Sequence, residues 1–174
     1  MSESKGMNEA EANRSDMEAT GMLSWLWITV LVIGLDLYTK SMATDALDLY
    51  QSISIFPFFN FTLLHNTGAA FSFLSDAGGW QRWMFSAIAV GTCVALIIWL
   101  WKLPKSDKWL AIALALIIGG AVGNVYDRLM YGYVVDFLDF HWAGVHFPAF
   151  NVADAGISIG AVMMGIDMIR NPNK

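Results

Sequence analysis

Four stretches that are almost free of charge, Met22 to Leu35, Trp83 to Trp101, Trp109 to Val125 and Ala155 to Ile166, constrain this 174-residue chain more than any other feature. About 20 apolar residues cross the roughly 30 Å hydrocarbon core of a bilayer as a helix, because a helix satisfies its backbone N–H and C=O groups internally. The first and last runs reach that length only by including Asp36, or Asp154 and Asp167, at their ends. The composition is 56% hydrophobic and 14% charged, whereas a soluble domain carries about a quarter charged residues. The expected architecture is an all-α integral membrane protein with four transmembrane helices, formed by residues 22–174 as one domain.

The formal charge of -5 does not call for a basic partner, and nothing in the sequence calls for nucleic acid. Much of the imbalance sits in Glu3, Glu9, Glu11, Asp16 and Glu18. Residues 1–21 lack an apolar run and aromatic residues, so they are expected to be a disordered cytoplasmic tail. They have neither the basic start nor the short apolar stretch of a signal peptide. The lone cysteine, Cys93, falls in mid-span and reads as a packing residue.

Basic residues near span ends set orientation. Lys102, Lys105 and Lys108 lie between the second and third spans, and Arg170 and Lys174 follow the fourth. Both places are expected in the cytoplasm, which puts both termini inside and leaves residues 37–82 and 126–153 outside. In the first outer segment, Ser52 to Leu64 alternates partly with period two and is rich in aromatic and β-branched residues. It predicts two or three short strands interrupted at Pro57. Gly68 to Leu74 predicts a short interfacial helix or turn, ended by Asp76 and the Gly78-Gly79 pair. So many Phe and Leu residues in an outer segment imply contact with membrane lipid or an apolar substrate.

This orientation gathers the acids of the apolar core at one level. Asp36 is expected at the outer end of span one, Asp127 at the outer end of span three, Asp136 shortly after it, and Asp154 at the outer start of span four. An aspartate within a span costs about 2.5–3.5 kcal/mol on insertion scales, so a cluster from separate helices needs partners or a purpose. Lys40 follows Asp36 on the same helical face, and Arg128 adjoins Asp127, so each of these acids has a structural reading as an ion-paired brace. Two carboxylates in a poorly hydrated site cannot both ionise cheaply, and the proton they then share is the working state of an aspartyl dyad. Asp139 competes with Asp136, and residue physics narrows the pair only to two among Asp36, Asp127, Asp136, Asp139 and Asp154.

Other hydrolytic patterns are weakly represented. His-Glu-x-x-His and Gly-x-Ser-x-Gly are absent, and His65, His141 and His146 lack helical ligand spacing, so they read as polar surface residues. Gly119-x-x-x-Gly123 and Gly156-x-x-x-Gly160 offer small faces through which spans three and four could pack against each other. Three rival readings remain at this level: an ion-coupled transporter subunit, a scaffold whose acids only lock helices, and a metal site of Asp and His. A relay would spread its acids through the membrane's depth. A scaffold leaves Asp136 and Asp154 unexplained.

Five blocks in order, Asp36-Leu-Tyr-Thr-Lys40, Asn66-Thr-Gly-Ala-Ala-Phe71, Gly123-Asn-Val-Tyr-Asp-Arg128, Val135-Asp-Phe137 and Phe150-Asn-Val-Ala-Asp154, make the sequence resemble lipoprotein signal peptidase, the type II signal peptidase of bacteria. The resemblance runs from span one to span four. It implies that Asp136 and Asp154 are the catalytic pair and gives supporting roles to Asp36, Lys40, Asn66, Asn124, Asp127, Arg128 and Asn151. It also implies a small extracytoplasmic β-cradle and an interfacial helix between helices one and two. The implied activity is removal of signal peptides from diacylglyceryl-modified prolipoproteins, before the lipidated cysteine, in the bacterial inner membrane; the chain itself is expected to be a monomer. Neither a metal nor an organic cofactor is expected.

Overall fold

The computed structural model describes residues 21–68 and 79–171. The acidic tail apart from Gly21, and the segment expected to form the interfacial helix apart from Gly68, lie outside the described residues. Four long helices carry the fold: α1 (Leu26–Ala46), α2 (Trp80–Lys102), α3 (Lys108–Met130) and α4 (Val152–Arg170). With the short 3-10 turn Leu23–Trp25 ahead of α1, all 4 are long and apolar enough to cross a membrane.

Each helix extends beyond the charge-free run that announces it. The difference matters most for α1, which continues past Asp36 and Lys40 to Ala46, where Leu47 turns extended. Asp36 therefore lies in the middle of its helix rather than at the expected outer end. A polar residue that is paired within the bundle does not stop a helix, because the backbone ladder is satisfied regardless of the side chain.

α3 is the central helix, with 67% of its apolar stretch buried against 17% for α2 and 22% for α4. Its sequence explains this position, since Ala111, Ala113, Ala115, Gly119, Gly120, Ala121 and Gly123 allow neighbouring backbones to come close. The glycine stripe on α3 faces α1 first and meets α4 only at Gly123, where an added Cβ would also lie 3.4 Å from Ala153 Cβ. A Cβ on Gly119 would meet Val32 of α1, and one on Gly123 would meet the Asp36 carboxylate at 2.6 Å. The stripe on α4 does face α3: Gly156 lies over the Leu116 carbonyl, and Gly160 over the Ala113 carbonyl and Ile117. Gly120, beside the predicted stripe, completes that interface by lying against the Ala153 carbonyl and Ile157.

One end of the bundle is closed by an apolar cluster of Met22, Leu100, Leu103, Leu110 and Leu114. The other end carries an antiparallel sheet in the order β1-β2-β3-β4. β1 (Ser52–Phe56) and β2 (Phe59–Asn66) form the hairpin expected from the aromatic alternation, turning at Pro57 and Phe58. β3 (Val134–Trp142) and β4 (Val145–His146) come from the second outer segment, joined by a two-residue turn in which Ala143 and Gly144 both have positive φ. The cradle is thus built from both segments, not only from the one between helices one and two. Val134-Val-Asp-Phe-Leu-Asp-Phe-His-Trp142 carries the β-branched and aromatic residues of a strand, and its acids obscure that signal. Ala43, Leu47, Leu63, Val135 and Phe137 bury the sheet against the end of α1.

Candidate active site

The two carboxylates singled out above arrive on different kinds of element. Asp136 is a buried residue of β3, paired across the ladder with Leu64 of β2. Asp154 lies in the first turn of α4, where the positive end of the helix dipole favours negative charge. Three asparagines tie them into one network. Asn66, the last residue of β2, donates from Nδ2 to Asp136 Oδ2 at 3.0 Å. Asn151 is the extended N-cap of α4, and its Oδ1 accepts the Asp154 N–H at 2.9 Å, as an asparagine cap does. Its Nδ2 donates to Asp136 Oδ1 at 2.8 Å and to the Val135 carbonyl at 3.1 Å.

Asn124 of α3 supplies the link to Asp154, donating from Nδ2 to Oδ1 at 2.7 Å. Its own Oδ1 accepts from Lys40 Nζ at 3.2 Å and from Asn151 Nδ2 at 3.3 Å. With the oxygen occupied by two donors, the Asn124 amide has one orientation that satisfies it, and that orientation points its N–H at Asp154.

Lys40 stands behind this layer. Its ammonium is 2.7 Å from Asp36 Oδ2 and 2.9 Å from Asp127 Oδ2, and all three side chains are buried. The Asp36 and Lys40 brace read from the sequence is present. The brace expected between Asp127 and Arg128 is not, because consecutive residues on a helix do not face each other. Asp127 instead pairs with Lys40 and accepts the Val135 N–H at 3.0 Å, which fixes the start of β3. Arg128 turns away, donating to the Asn124 carbonyl at 3.3 Å, lying 5.6 Å from the Phe85 ring, and acting electrostatically on Asp154 and Asp136. Asp36 Oδ1 accepts the Ala153 N–H at 2.8 Å, so α1 also holds the first turn of α4.

The remaining acids lie elsewhere. Asp139 is separated from Asp136 by an odd number of strand positions and so projects to the other face of β3. There it accepts from Asn60 Nδ2 at 2.9 Å and pairs with His146 Nδ1 at 2.8 Å. Asp167 is at the opposite end of α4, bonded to Asn171. His65 stacks on Tyr133 with ring centroids 3.8 Å apart, and His141 stacks on His146. The Lys40 and Asp127 pair and the Phe85 contact are long-range, and no local pattern announces them.

Burial pushes the Asp136 carboxyl up from its ordinary 3.8 to about 7, and the neighbouring charge of Asp154 adds to the effect. The amide donors of Asn66 and Asn151 and the charge of Lys40 oppose it by smaller amounts. The result is a carboxyl group near half-ionisation at neutral pH beside a second carboxyl group held by an amide donor. Such a pair can accept a proton at one member and donate one from the other.

Comparison with known proteins gives concordant results. The family model described as signal peptidase (SPase) II matches residues 28–170. A lipoprotein signal peptidase from Alteromonas mediterranea is 56% identical over 152 residues, covering 87% of this chain and 84% of that protein. One from Pseudomonas aeruginosa is 52% identical over 158 residues, covering 90% of this chain and 94% of its own length. Among solved structures, a bacterial membrane enzyme determined by the in meso method at 2.3 Å resolution superposes with a TM-score of 0.80 at 30% identity, covering 90% of this chain and 94% of that one. A second such enzyme, at 1.9 Å resolution, gives a TM-score of 0.77 at 30% identity.

Proposed function

The chain belongs to the signal peptidase II family, and from that premise we propose that it is an aspartyl endopeptidase of the bacterial inner membrane. It cleaves diacylglyceryl-modified prolipoproteins immediately before the lipidated cysteine. The observation that carries this reading is the single network in which Asn151 and Asn66 hold Asp136 while Asn124 holds Asp154.

Asp136, raised to about 7, is assigned the shared proton. Asp154, in a helix's first turn with an Asn124 donor and Arg128 as an electrostatic neighbour, is assigned the ionised role. In the first step Asp154 takes a proton from water, whose oxygen attacks the scissile carbonyl carbon while Asp136 gives its proton to the carbonyl oxygen. The tetrahedral gem-diol then collapses. The C–N bond breaks, the proton held on Asp154 goes to the leaving amine of the cysteine, and a gem-diol hydroxyl returns its proton to Asp136. Lys40, Asp36 and Asp127 act through Asn124 and Val135 and are positioning residues.

The lipid requirement follows from where the site lies. The network sits at the sheet end of the helices, and the same sheet exposes the rings of Phe56 and Phe58 near its β1–β2 turn, so a signal helix can reach the site within the bilayer while the acyl chains on the cysteine remain in lipid. With both termini and the Lys105 loop assigned to the cytoplasm by their basic residues, this end is read as the outer face.

The test is cleavage of a purified precursor, with and without diacylglycerol on its cysteine, by the wild type and by Asp136→Asn in the same lipid. The lipidated precursor should be cut only by the wild type, and far faster than the unmodified one. Cleavage by Asp136→Asn would remove the dyad assignment, and equal rates on the two precursors would remove the lipid requirement. Labelling of a cysteine at position 105 from outside intact cells, in a Cys93→Ser background, would overturn the orientation.

A further inference from the structure

Between the last turns of α1 and α3 and the start of β3 lies a cavity of about 400 Å³. Its lining includes Lys40 and Asp45 of α1, Asp127 and Tyr126 of α3, and Tyr131 and Tyr133 beyond it. Neither Asp136 nor Asp154 lines it. We propose that this cavity binds the primary ammonium headgroup of a phospholipid, a phosphatidylethanolamine, from the leaflet at this end of the bundle.

The charge of the lining selects a cation. Lys40, the one basic residue in the lining, is already shared between Asp36 at 2.7 Å and Asp127 at 2.9 Å. Asp36 lies behind the lining, so Lys40 is neutralised there and no free positive charge faces the cavity, whereas Asp127 contributes a negative one. Asp45 adds to this, since among the described residues its carboxylate meets only the Ser41 hydroxyl, 3.4 Å away. A phosphate entering here would face these acids without a free counter-charge, whereas an ammonium group would be attracted. Tyr126, Tyr131 and Tyr133 form the aromatic wall: the first two meet edge to face at 6.3 Å, and the second and third stack at 6.0 Å. Aromatic faces beside a carboxylate are the usual surroundings of a bound ammonium group.

Depth and neighbourhood select a lipid as the source. The cavity lies where α1 and α3 end, at Ala46 and Met130, which is the level of the headgroups for helices of spanning length. Tyr38, Met42, Leu129 and Met130 are exposed on the same two helices and give acyl chains an apolar surface to follow. The volume has room for an ethanolamine headgroup together with several waters, since a water molecule occupies about 30 Å³. The phosphodiester then stays outside among the other headgroups.

The experiment is thermal unfolding of the full-length protein in detergent, titrated with short-chain phosphatidylethanolamine, with phosphatidylglycerol of the same chains, and with free ethanolamine. Saturating phosphatidylethanolamine should raise Tm by about 5 °C, well above the effect of the other two. Asp45→Asn, at an exposed position, should leave the unliganded Tm unchanged and reduce the phosphatidylethanolamine shift to that of phosphatidylglycerol. Tyr131→Leu should weaken the shift, and Tyr131→Phe, which keeps the ring face, should preserve it. An equal shift with phosphatidylglycerol, or an undiminished one in Asp45→Asn, overturns ammonium recognition. An equal shift with free ethanolamine at the same concentration overturns the lipid as its source.

Discussion

Asn151 donates to Asp136 Oδ1 at 2.8 Å from the same side-chain amide whose oxygen accepts the Asp154 N–H at 2.9 Å. The cap that starts α4 is therefore also the bridge that sets α4 against β3. Helix initiation and site assembly depend on one residue, and a cap of the opposite polarity could not serve both.

This arrangement separates Asp136 from Asp139. Asp136→Asn and Asp154→Asn should each lower kcat by about a thousandfold or more, because a pair that must both accept and donate a proton fails when either carboxyl is lost. Asp139→Asn should keep most of the activity, since Asp139 serves Asn60 and His146 instead. Cleavage assays on folded, membrane-inserted protein check this. A dead Asp139→Asn beside an active Asp136→Asn would reverse the assignment.

The raised Asp136 carboxyl predicts a pH profile. In the proposed mechanism it must be protonated to donate to the carbonyl oxygen, so kcat/KM should fall as pH rises through about 7. Asn66 donates to Asp136 and favours its ionised form. Asn66→Ala should therefore raise the value further and move the alkaline limb to higher pH, even as the rate falls. An unmoved limb would show that another group sets it. Stability has a matching sign. Between 3.8 and about 7 the folded chain keeps a proton that the unfolded chain has lost, so this group's contribution to stability declines as pH rises through that window.

Much of this was legible in the sequence and some was not, for reasons that differ by residue. Apolar runs report the helices because a bilayer punishes irregular backbone. Pro57 and its aromatic neighbours report the first hairpin. The pairing of Asp36 with Lys40 is local, at a spacing that any helix places face to face. The pairing of Lys40 with Asp127 joins distant segments, and only the packing of α1 on α3 creates it. β3 is hard to read from the sequence because its two acids interrupt an otherwise strand-like run, and because one of them, Asp136, is buried in the candidate site rather than displayed on the sheet's surface.

The buried Lys40 group gives a stability prediction. Lys40→Met keeps the aliphatic stem but leaves Asp36 and Asp127 without their shared cation, which costs about 3–5 kcal/mol. At that size the loss of Tm is about 10 °C. Lys40→Met combined with Asp127→Asn should be less destabilised than Lys40→Met alone, since one of the two stranded charges is gone. Additive losses, measured by thermal unfolding of the four proteins in the cycle, would mean that the three side chains do not act as a unit.

The contact between α3 and α4 can be tested without touching a charged residue. Gly160 lies so near α3 that a Cβ would be 2.6 Å from the Ala113 carbonyl and 2.6 Å from Ile117 Cγ1, while one on Gly120 would overlap the Ala153 carbonyl. Backbone cannot yield to such contacts, so each alanine must push the helices apart. Ala153 precedes Asp154, and its N–H is held by Asp36, so a shift of α4 at Gly120 moves the first turn that carries the candidate carboxylate. Gly120→Ala should thus lose both stability and kcat. Gly160→Ala, two turns of α4 or so further from the site, should lose stability first. Gly91→Ala and Gly165→Ala are the controls, because a Cβ at either meets nothing within 4 Å. Replacing a helical glycine in open space removes conformational freedom from the unfolded chain, so these two should be neutral or stabilising by up to about 1 kcal/mol. Thermal unfolding and kcat for the four variants decide the matter. If Gly120→Ala retains wild-type activity and stability, the close approach of α3 to α4 is not what holds the first turn of α4 in place.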